Sequence, residues 1–328
     1  MTKKEFISDQ NHKIGLLYLG YRGGGAGITE KISWEISAFD FEQTTVLSNK
    51  NEILSNYKKI PSQTVVEIDV PCSLFKIINP LSFIKCIRKV KKCFLSKKIK
   101  NVLIPMHHPY SVLMIPILRL IGIRVISAIH DFVPHQGDKK FLIEIANLII
   151  ILFSSSVLFF SKNQLQKAMT RYPSLGSKFT NLRLASDFRR SPDFSKPKLP
   201  SYDYIFFGRL EPYKGIARLK EAWRFVLEQD SDATLLIRGN GAESEELNEL
   251  KKMAGVDCRI GYVGNNEVEK LMREVKVILA AHDTATQSGI TGLAATFGML
   301  AVTTPCAGFV EQAEFNPRIL VAKDFQPS

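Results

Sequence analysis

Cysteine is sparse in this chain: five residues in 328, namely Cys72, Cys86, Cys93, Cys258 and Cys306. None stands in CxxC spacing or at a ligand interval from a histidine, which argues against a metal cluster. Their scatter and odd number exclude a disulfide frame. A reducing, cytoplasmic setting is the expectation. Long apolar runs are missing too. The best candidate, Phe141 to Phe160, is interrupted by Glu144, Asn147 and Ser154-Ser155-Ser156, and falls short of the ~20 residues a membrane span needs. It reads instead as a buried helix, a serine break and a buried strand, Val157 to Phe160. The opening residues, Met1 to Gln10, are polar and charged, so no secretory leader is expected there. Acid is under-represented: 32 Asp and Glu face 44 Lys and Arg, a formal net charge of +12. That balance favours anionic partners, whether phosphorylated ligands, an acidic membrane face or nucleic acid. Nucleic acid ranks last, because no aromatic-interleaved basic strand or known binding module is present.

What is there is an alternation of short β-like runs with longer helical stretches, the grammar of parallel α/β sheets. The length suits two such domains. Lys13–Leu19 reads as a first strand, followed by a glycine-rich turn and a helix from about Ile28. Asn101–Pro105 and Arg124–Ile129 read as further buried strands. Between Asp187 and Asp203 the sequence turns Ser-, Pro-, Lys- and Asp-rich, the composition of a linker. The expected domains are therefore 1–190 and 200–328. Beyond the linker the pattern restarts with strands at Tyr204–Phe207, Ala233–Ile237, Lys276–Ala280 and Leu300–Thr303. Ligands of open parallel sheets sit beyond the carboxyl ends of strands, so the loops after Leu19, Ile129, Phe207, Ile237 and Ala281 are the ones to read.

Four of these loops carry chemistry. In Phe207-Gly208-Arg209-Leu210-Glu211-Pro212-Tyr213-Lys214-Gly215, two cations stand where a helix begins, and helix amides add to their pull on an anion. The ordinary alternative is a solvated loop with two surface cations. In Thr284-Ala285-Thr286-Gln287-Ser288-Gly289-Ile290-Thr291-Gly292, small residues let backbone amides approach a phosphate, or simply pack a tight turn. Ile129-His130-Asp131-Phe132-Val133-Pro134-His135 brings imidazoles suited to proton handling or to a sugar hydroxyl; a structural histidine is the alternative. Gly23-Gly24-Gly25-Ala26-Gly27 lies between the first strand and first helix, where bare backbone can meet a ligand. Its spacing is not GxGxxG, so a dinucleotide cofactor is not expected. Asp230-Ser231-Asp232 imitates a metal-binding DxD, but it follows a helix and precedes a strand, the wrong end of the sheet. Glu243, Glu245, Glu246 and Glu249 read as a charged helix face.

In register together, His130-Asp131 with Pro134-His135, Gly208 to Gly215, and Ala285 to Gly289 with Phe297-Gly298 resemble the family 4 glycosyltransferases, retaining enzymes of the GT-B type, chiefly those of bacterial polysaccharide assembly. The resemblance implies two Rossmann-like α/β domains facing across a cleft, an acceptor-side domain followed by a donor-binding one. It implies that Arg209 and Lys214 hold the diphosphate of a UDP- or GDP-linked sugar and stabilise the leaving group. Gly239, Gln287, Ser288, Gly289 and Ile290 would line the donor site. His130 would touch the sugar or reaction centre, and Gly23, Gly24, Gly25, Asp131 and His135 would line the cleft on the acceptor side. Neither metal nor other cofactor is implied. The acceptor would be a glycan or a lipid-linked sugar. Two departures stand out: the paired glutamates of many members are replaced here around Thr286, Gln287, Leu293 and Ala294, and the helices with which relatives usually close the fold are not expected after Glu311.

From Lys76 to Lys100 nearly every basic residue is lysine and no acid occurs, while Phe83, Ile87, Val90 and Phe94 recur at helical spacing. Such a helix either lies on an anionic leaflet or packs its stripe against a sheet with its lysines solvated; the two are compatible. Alternatives that keep the fold are a sugar-nucleotide epimerase and a non-catalytic nucleotide- or membrane-binding partner.

Overall fold

The computed structural model describes residues 13–39, 41–71, 79–134, 140–182, 200–286 and 288–326. The chain divides into two compact units. The first is built on β1 (Lys13–Tyr18), β2 (Glu42–Ser48), β3 (Gln63–Ile68), β4 (Asn101–Ile104), β5 (Arg124–Ile129), β6 (Ser156–Phe159) and β7 (Phe179–Asn181). They form one sheet in the order β3-β2-β1-β4-β5-β6-β7, and all recorded pairings are parallel. Parallel strands need long crossovers, and right-handed crossovers put helices on opposite faces once the strand order reverses. The reversal falls at β1. On one face α1 (Gly24–Ser37) and α2 (Leu54–Tyr57) close a small core around Tyr18, Ala26, Leu47 and Tyr57. On the other, α3 (Pro80–Ser96), α4 (Pro109–Leu120) and α5 (Lys140–Phe153) share the larger core with Val90, Phe94, Ile115, Leu118, Ile150 and Ile151. The last helix of the unit is α6 (Lys162–Arg171).

The second unit has six strands, β8 (Tyr202–Phe207), β9 (Leu235–Gly239), β10 (Val256–Ile260), β11 (Val275–Ala280), β12 (Leu300–Thr303) and β13 (Ile319–Val321), ordered β10-β9-β8-β11-β12-β13. Here the reversal lies between β8 and β11. The helices α7 (Ile216–Gln229) and α8 (Glu245–Leu250) share a core with Leu219, Trp223 and Leu247. The helices α9 (Asn265–Arg273), α10 (Gly289–Thr296) and α11 (Ala307–Ala313) flank the other, with Met272, Leu293 and Phe309.

Most expected elements lie within two residues of these bounds. The first helix differs: it starts at Gly24, so the glycines form its first turn instead of a loop before Ile28. The stretch from Phe141 also needs correction. It is helical, but buried only on one side, through Asn147, Ile150 and Ile151. Phe141, Leu142, Ile145, Leu148, Leu152 and Phe153 are exposed. Hydropathy reports how apolar a helix is, not which of its sides finds a partner. Most of the expected linker, 183–199, lies outside the described residues, as do Cys72, His135 and Gln287. In α3 the apolar stripe does face the core, with Ile87, Val90 and Phe94 buried, while Lys85, Arg88, Lys89, Lys91 and Lys92 are exposed. Among the described residues no helix is long and apolar enough to cross a membrane.

One contact fixes the second sheet at its reversal. Gly215 has φ +76° and ends the loop after β8; a Cβ placed there would sit 1.8 Å from the carbonyl oxygen of Ala281, just past β11. We predict that Gly215→Ala destabilises the protein by roughly 3 kcal/mol or more, the sum of left-handed strain and a backbone clash. Urea unfolding checks this, and a loss below about 1 kcal/mol contradicts the close approach.

Candidate functional site

In the second unit the strand ends dictate the site. β8 ends at Phe207, and Gly208 and Leu210 donate their amides to Arg238 O, near the end of β9, and to Asn240 O, just past it. Pro212–Lys214 make one turn of 3₁₀ helix, and left-handed Gly215 starts α7. This path brings Arg209, Tyr213 and Lys214 together. The Arg209 Nη2 donates to the Tyr213 hydroxyl at 2.7 Å, and the Lys214 ammonium lies 5.2 Å from the Tyr213 ring centre. The guanidinium lies 5.7 Å from the same ring. Among the described residues no carboxylate pairs with Arg209, so two cations share one aromatic ring where an anion would relieve them.

Lys214 has a partner that sequence reading missed. Its Nζ lies 3.2 Å from the Nε2 of buried His282, which follows β11 across the reversal. An ammonium can only donate, so this nitrogen accepts. The imidazole is fixed in turn: the ring of Phe309 lies 5.0 Å away, and His282 O accepts from Thr304 Oγ1 at 2.6 Å and Cys306 Sγ at 3.3 Å. Phe309 belongs to α11, and so does Gln312, whose Nε2 donates to Ser288 O at 3.2 Å. Ser288 stands at the N-cap of α10, and Gly289 and Ile290 open that helix. One short helix thus ties the cation pair to the amides at the mouth of α10. Gly239 closes the floor, because a Cβ there would meet Gly208 O at 1.6 Å. Leu293 and Ala294, which replace family glutamates, are buried in the core of α10.

The decoys behave as surface features. Asp230 Oδ1 accepts from the Asp232 amide in a turn ahead of β9, and Glu249 and Glu243 pair with Lys220 and Lys251. A groove of about 420 Å³ beside the sheet is lined by Leu219, Phe225, Val302 and Phe325 among others. Neither Arg209, Lys214 nor Ser288 reaches it, so it lies apart from the chemistry.

In the first unit the Gly23 amide donates to Glu52 Oε1 at 2.8 Å, which anchors the glycine turn. Gly25 lies against Tyr18 and Met106, and a Cβ on it would come within 3.1 Å of the Met106 side chain. Met106 belongs to the loop after β4, and the carbonyl of its neighbour Pro105 lies 3.1 Å from His130 Nε2. The ends of β1, β4 and β5 are thereby joined through Gly25, Met106, Pro105 and His130. Asp131 turns its carbonyl, with that of Phe132, to Asn147 Nδ2 at 3.2 Å. The loop after β4 adds two histidines absent from the sequence reading. His108 caps α4, its Nδ1 accepting from the Tyr110 amide at 3.2 Å, and burial lowers it to about 4. His107 has a buried Nε2 that meets no hydrogen-bond partner among the described residues.

Comparison with known proteins adds one decisive match. Residues 201–326 match the family Glycosyl transferases group 1. The match takes in nearly all the described residues of the second unit. No curated protein matches the chain. Solved structures match it nearly end to end. A glycosyltransferase from Rickettsia africae ESF-5 superposes with a TM-score of 0.64 at 14% identity, covering 97% of this chain and 86% of the other. Anabaena Alr3699/HepE, in complex with UDP and glucose, gives 0.65 at 14%, covering 96% and 86%. The catalytic domain of starch synthase IV from Arabidopsis thaliana, bound to ADP and acarbose, gives 0.66 at 11%, covering 91% and 84%. The two parallel-sheet units have the GT-B fold of these structures, and the family match falls in the second of them.

The buried histidines of the first unit fix the sign of its response to acid. Burial, reinforced by the His130 charge, depresses His107 to about 3; burial also lowers His130. At His107 the unfolded chain takes up a proton near pH 6.5 that the folded chain refuses, so stability falls as pH drops from about 6.5 toward 3, by at most ~1.4 kcal/mol per pH unit, and His130 acts in the same direction. We predict that His107→Phe flattens this decline between pH 7 and 5 in urea unfolding. An unchanged slope contradicts the assignment.

Proposed function

We propose that this protein is a glycosyltransferase and moves a sugar from a UDP- or GDP-linked donor to a glycan or lipid-linked acceptor in cell-surface polysaccharide assembly, with retention at the anomeric carbon and without a metal. The observation that carries the reading is the gathering of Arg209 and Lys214 around Tyr213 at the sheet reversal, with the α10 mouth tied to the same cluster through α11. In transfer, the bond from the sugar C1 to the diphosphate oxygen breaks and negative charge grows on the leaving phosphate. Donors already aimed at that charge need no reorganisation, which is how preorganised cations lower a barrier. Arg209 and Lys214 take that role. The amides of Ser288, Gly289 and Ile290 supplement it, with Gly239 letting the backbone at Gly208 pack closely beneath. The resemblance to retaining enzymes supports front-face attack by the acceptor hydroxyl.

On the acceptor side we assign His130 to the donor sugar or reaction centre and Gly23 to Gly25, with Asp131 and His135, to the acceptor. His130 Nε2 is engaged with a carbonyl, which fixes a tautomer with its proton there and leaves Nδ1 as an acceptor for a sugar hydroxyl. A lipid-linked acceptor would bring the enzyme to an anionic leaflet, in keeping with the exposed lysine face of α3. The domains follow the same division, acceptor side in 1–190 and donor side in 200–328.

The test is a thermal-shift screen of UDP, GDP, ADP and their sugars. One nucleotide series is expected to raise the melting temperature. Arg209→Ala and Lys214→Ala should each weaken that ligand by roughly 10- to 100-fold, the loss of one charge-assisted hydrogen bond. The double variant should show no shift. A shift that survives both substitutions removes the donor site from this cluster.

A further inference from the structure

Residues 131–134, which carry the chain away from β5 and His130, belong to neither helix nor strand, so their backbone groups must find partners elsewhere. Two side chains supply them. Gln164, in the first turn of α6, sets its Oε1 between the amides of Phe132 and Val133, which donate to it at 3.0 and 3.1 Å. Asn147, midway along α5, gives its Nδ2 to the carbonyls of Asp131 and Phe132, both at 3.2 Å. Four backbone groups on three consecutive residues are thus satisfied by two side chains from two helices. Backbone chemistry fixes which way each amide points. A peptide N–H only donates, so the oxygen of Gln164 faces the loop; a peptide carbonyl only accepts, so the nitrogen of Asn147 does.

Packing alone does not account for these two residues. Both are buried, Gln164 at 2% and Asn147 at 7% exposure, and Asn147 interrupts the otherwise apolar run from Ile145 to Phe153. A buried amide is costly without its bonds, and a methionine or leucine would fill either place without that cost. Nor is the loop short of an anchor, because the Phe132 ring lies 6.2 Å from that of Phe159 and 6.3 Å from that of Tyr172. A ring anchor leaves the peptide planes able to turn; bonds to N–H and C=O on both sides of Phe132 leave them one orientation. His130 stands immediately before this fixed segment. Its imidazole sits between the Pro105 carbonyl, 3.1 Å from Nε2, and the Phe160 ring, 4.6 Å away between centroids. A turn of the following backbone would carry the imidazole off that carbonyl, and the carbonyl is what selects its tautomer.

We propose that Gln164 and Asn147 are positioning residues for His130: together they fix the backbone beyond it and so keep the imidazole on the Pro105 carbonyl, with Nδ1 as its acceptor. The value of this clamp for sugar transfer rests on the place given to His130 above; its effect on the imidazole does not.

The experiment is nitrogen NMR of the full chain with isotope-labelled histidine, the His130 signal being assigned by its loss in His130→Gln. Wild type should show His130 as one tautomer, protonated at Nε2, titrating below the ordinary histidine value as its burial dictates. Gln164→Met and Asn147→Leu keep apolar volume and remove the bonds; each should turn that signal into an average of two tautomers and move the titration up toward the ordinary value. Gln164→Glu still accepts from both amides, so it should keep the single tautomer. Its added charge, joining Asp131 and His107 as ionisable neighbours of the imidazole, should raise the titration. A single tautomer and an unmoved titration in Gln164→Met and Asn147→Leu overturn the proposal. If the apolar variants fail to melt cooperatively, Gln164→Glu decides: the tautomer kept with a raised titration supports the clamp, and a mixed tautomer overturns it. Turnover is followed as nucleotide release from UDP-glucose and GDP-mannose. The apolar variants should lose roughly 100-fold in kcat with the nucleotide melting shift unchanged, since the donor phosphates are assigned to the second unit. A changed His130 signal with turnover intact upholds the clamp and removes His130 from the reaction. An unchanged signal removes the clamp whatever the turnover.

Discussion

Gly215 and Ala281 come so close that a methyl group cannot stand between them, and the donor-side cluster is organised around that approach. In an open parallel sheet the loops leave the strand ends in opposite directions where the order reverses, and the space they vacate is where a ligand fits. In the second unit β8 and β11 flank that space. The close approach sets the loop carrying Arg209 and Lys214 directly against the loop carrying His282. A wider spacing would leave two solvated cations. The spacing found brings an ammonium to an imidazole and holds a tyrosine ring between two charges.

Much of the fold is legible in the sequence because each strand of a doubly covered parallel sheet must be apolar on both sides. Leu16, Leu17, Tyr18 and Leu19, or Ile205 and Phe206, announce themselves that way. Arg209 and Lys214 are legible because a glycine, a cation and a helix start follow one such strand. His282 follows another, after Ala281, but a lone histidine in the loop has no spacing to mark it, and its meaning depends on Lys214, 68 positions earlier. His107 was within reach of the same rule. It lies in the loop after β4 as His130 lies in the loop after β5, but no motif around it sets that loop apart. The missing glutamates of the second unit need no coordinates to be noticed, but only packing shows why Leu293 and Ala294 are apolar: α10 turns them into the core.

The exposed stripe of α5 marks the opposite limit. A run of leucine, isoleucine and phenylalanine satisfies the sequence criterion for a buried helix, yet burial is decided by what lies across from each side. Ile150 and Ile151 meet the sheet, with Asn147 turned to the carbonyls of Asp131 and Phe132. Phe141 and Leu142 meet nothing within the described residues that covers them. Composition carries the first fact and topology the second, so the error was in placement and not in secondary structure.

The two cations of the donor cluster are not equivalent, and the difference bears on how they act. Lys214 is half-buried and bonded to an imidazole that cannot swing away, since its ring rests near Phe309 and its carbonyl is held by Thr304 and Cys306. An ammonium has three donors; one is spent on His282, and its direction fixes where the others point. Arg209 is exposed, and its Nη2 is held by the Tyr213 hydroxyl with the guanidinium near the same ring, which aims its planar fork as His282 aims the ammonium. In the proposed transfer, a point charge and a bidentate fork set on one tyrosine would suit a diphosphate whose charge grows on one oxygen, since neither would have to be reoriented as that charge develops.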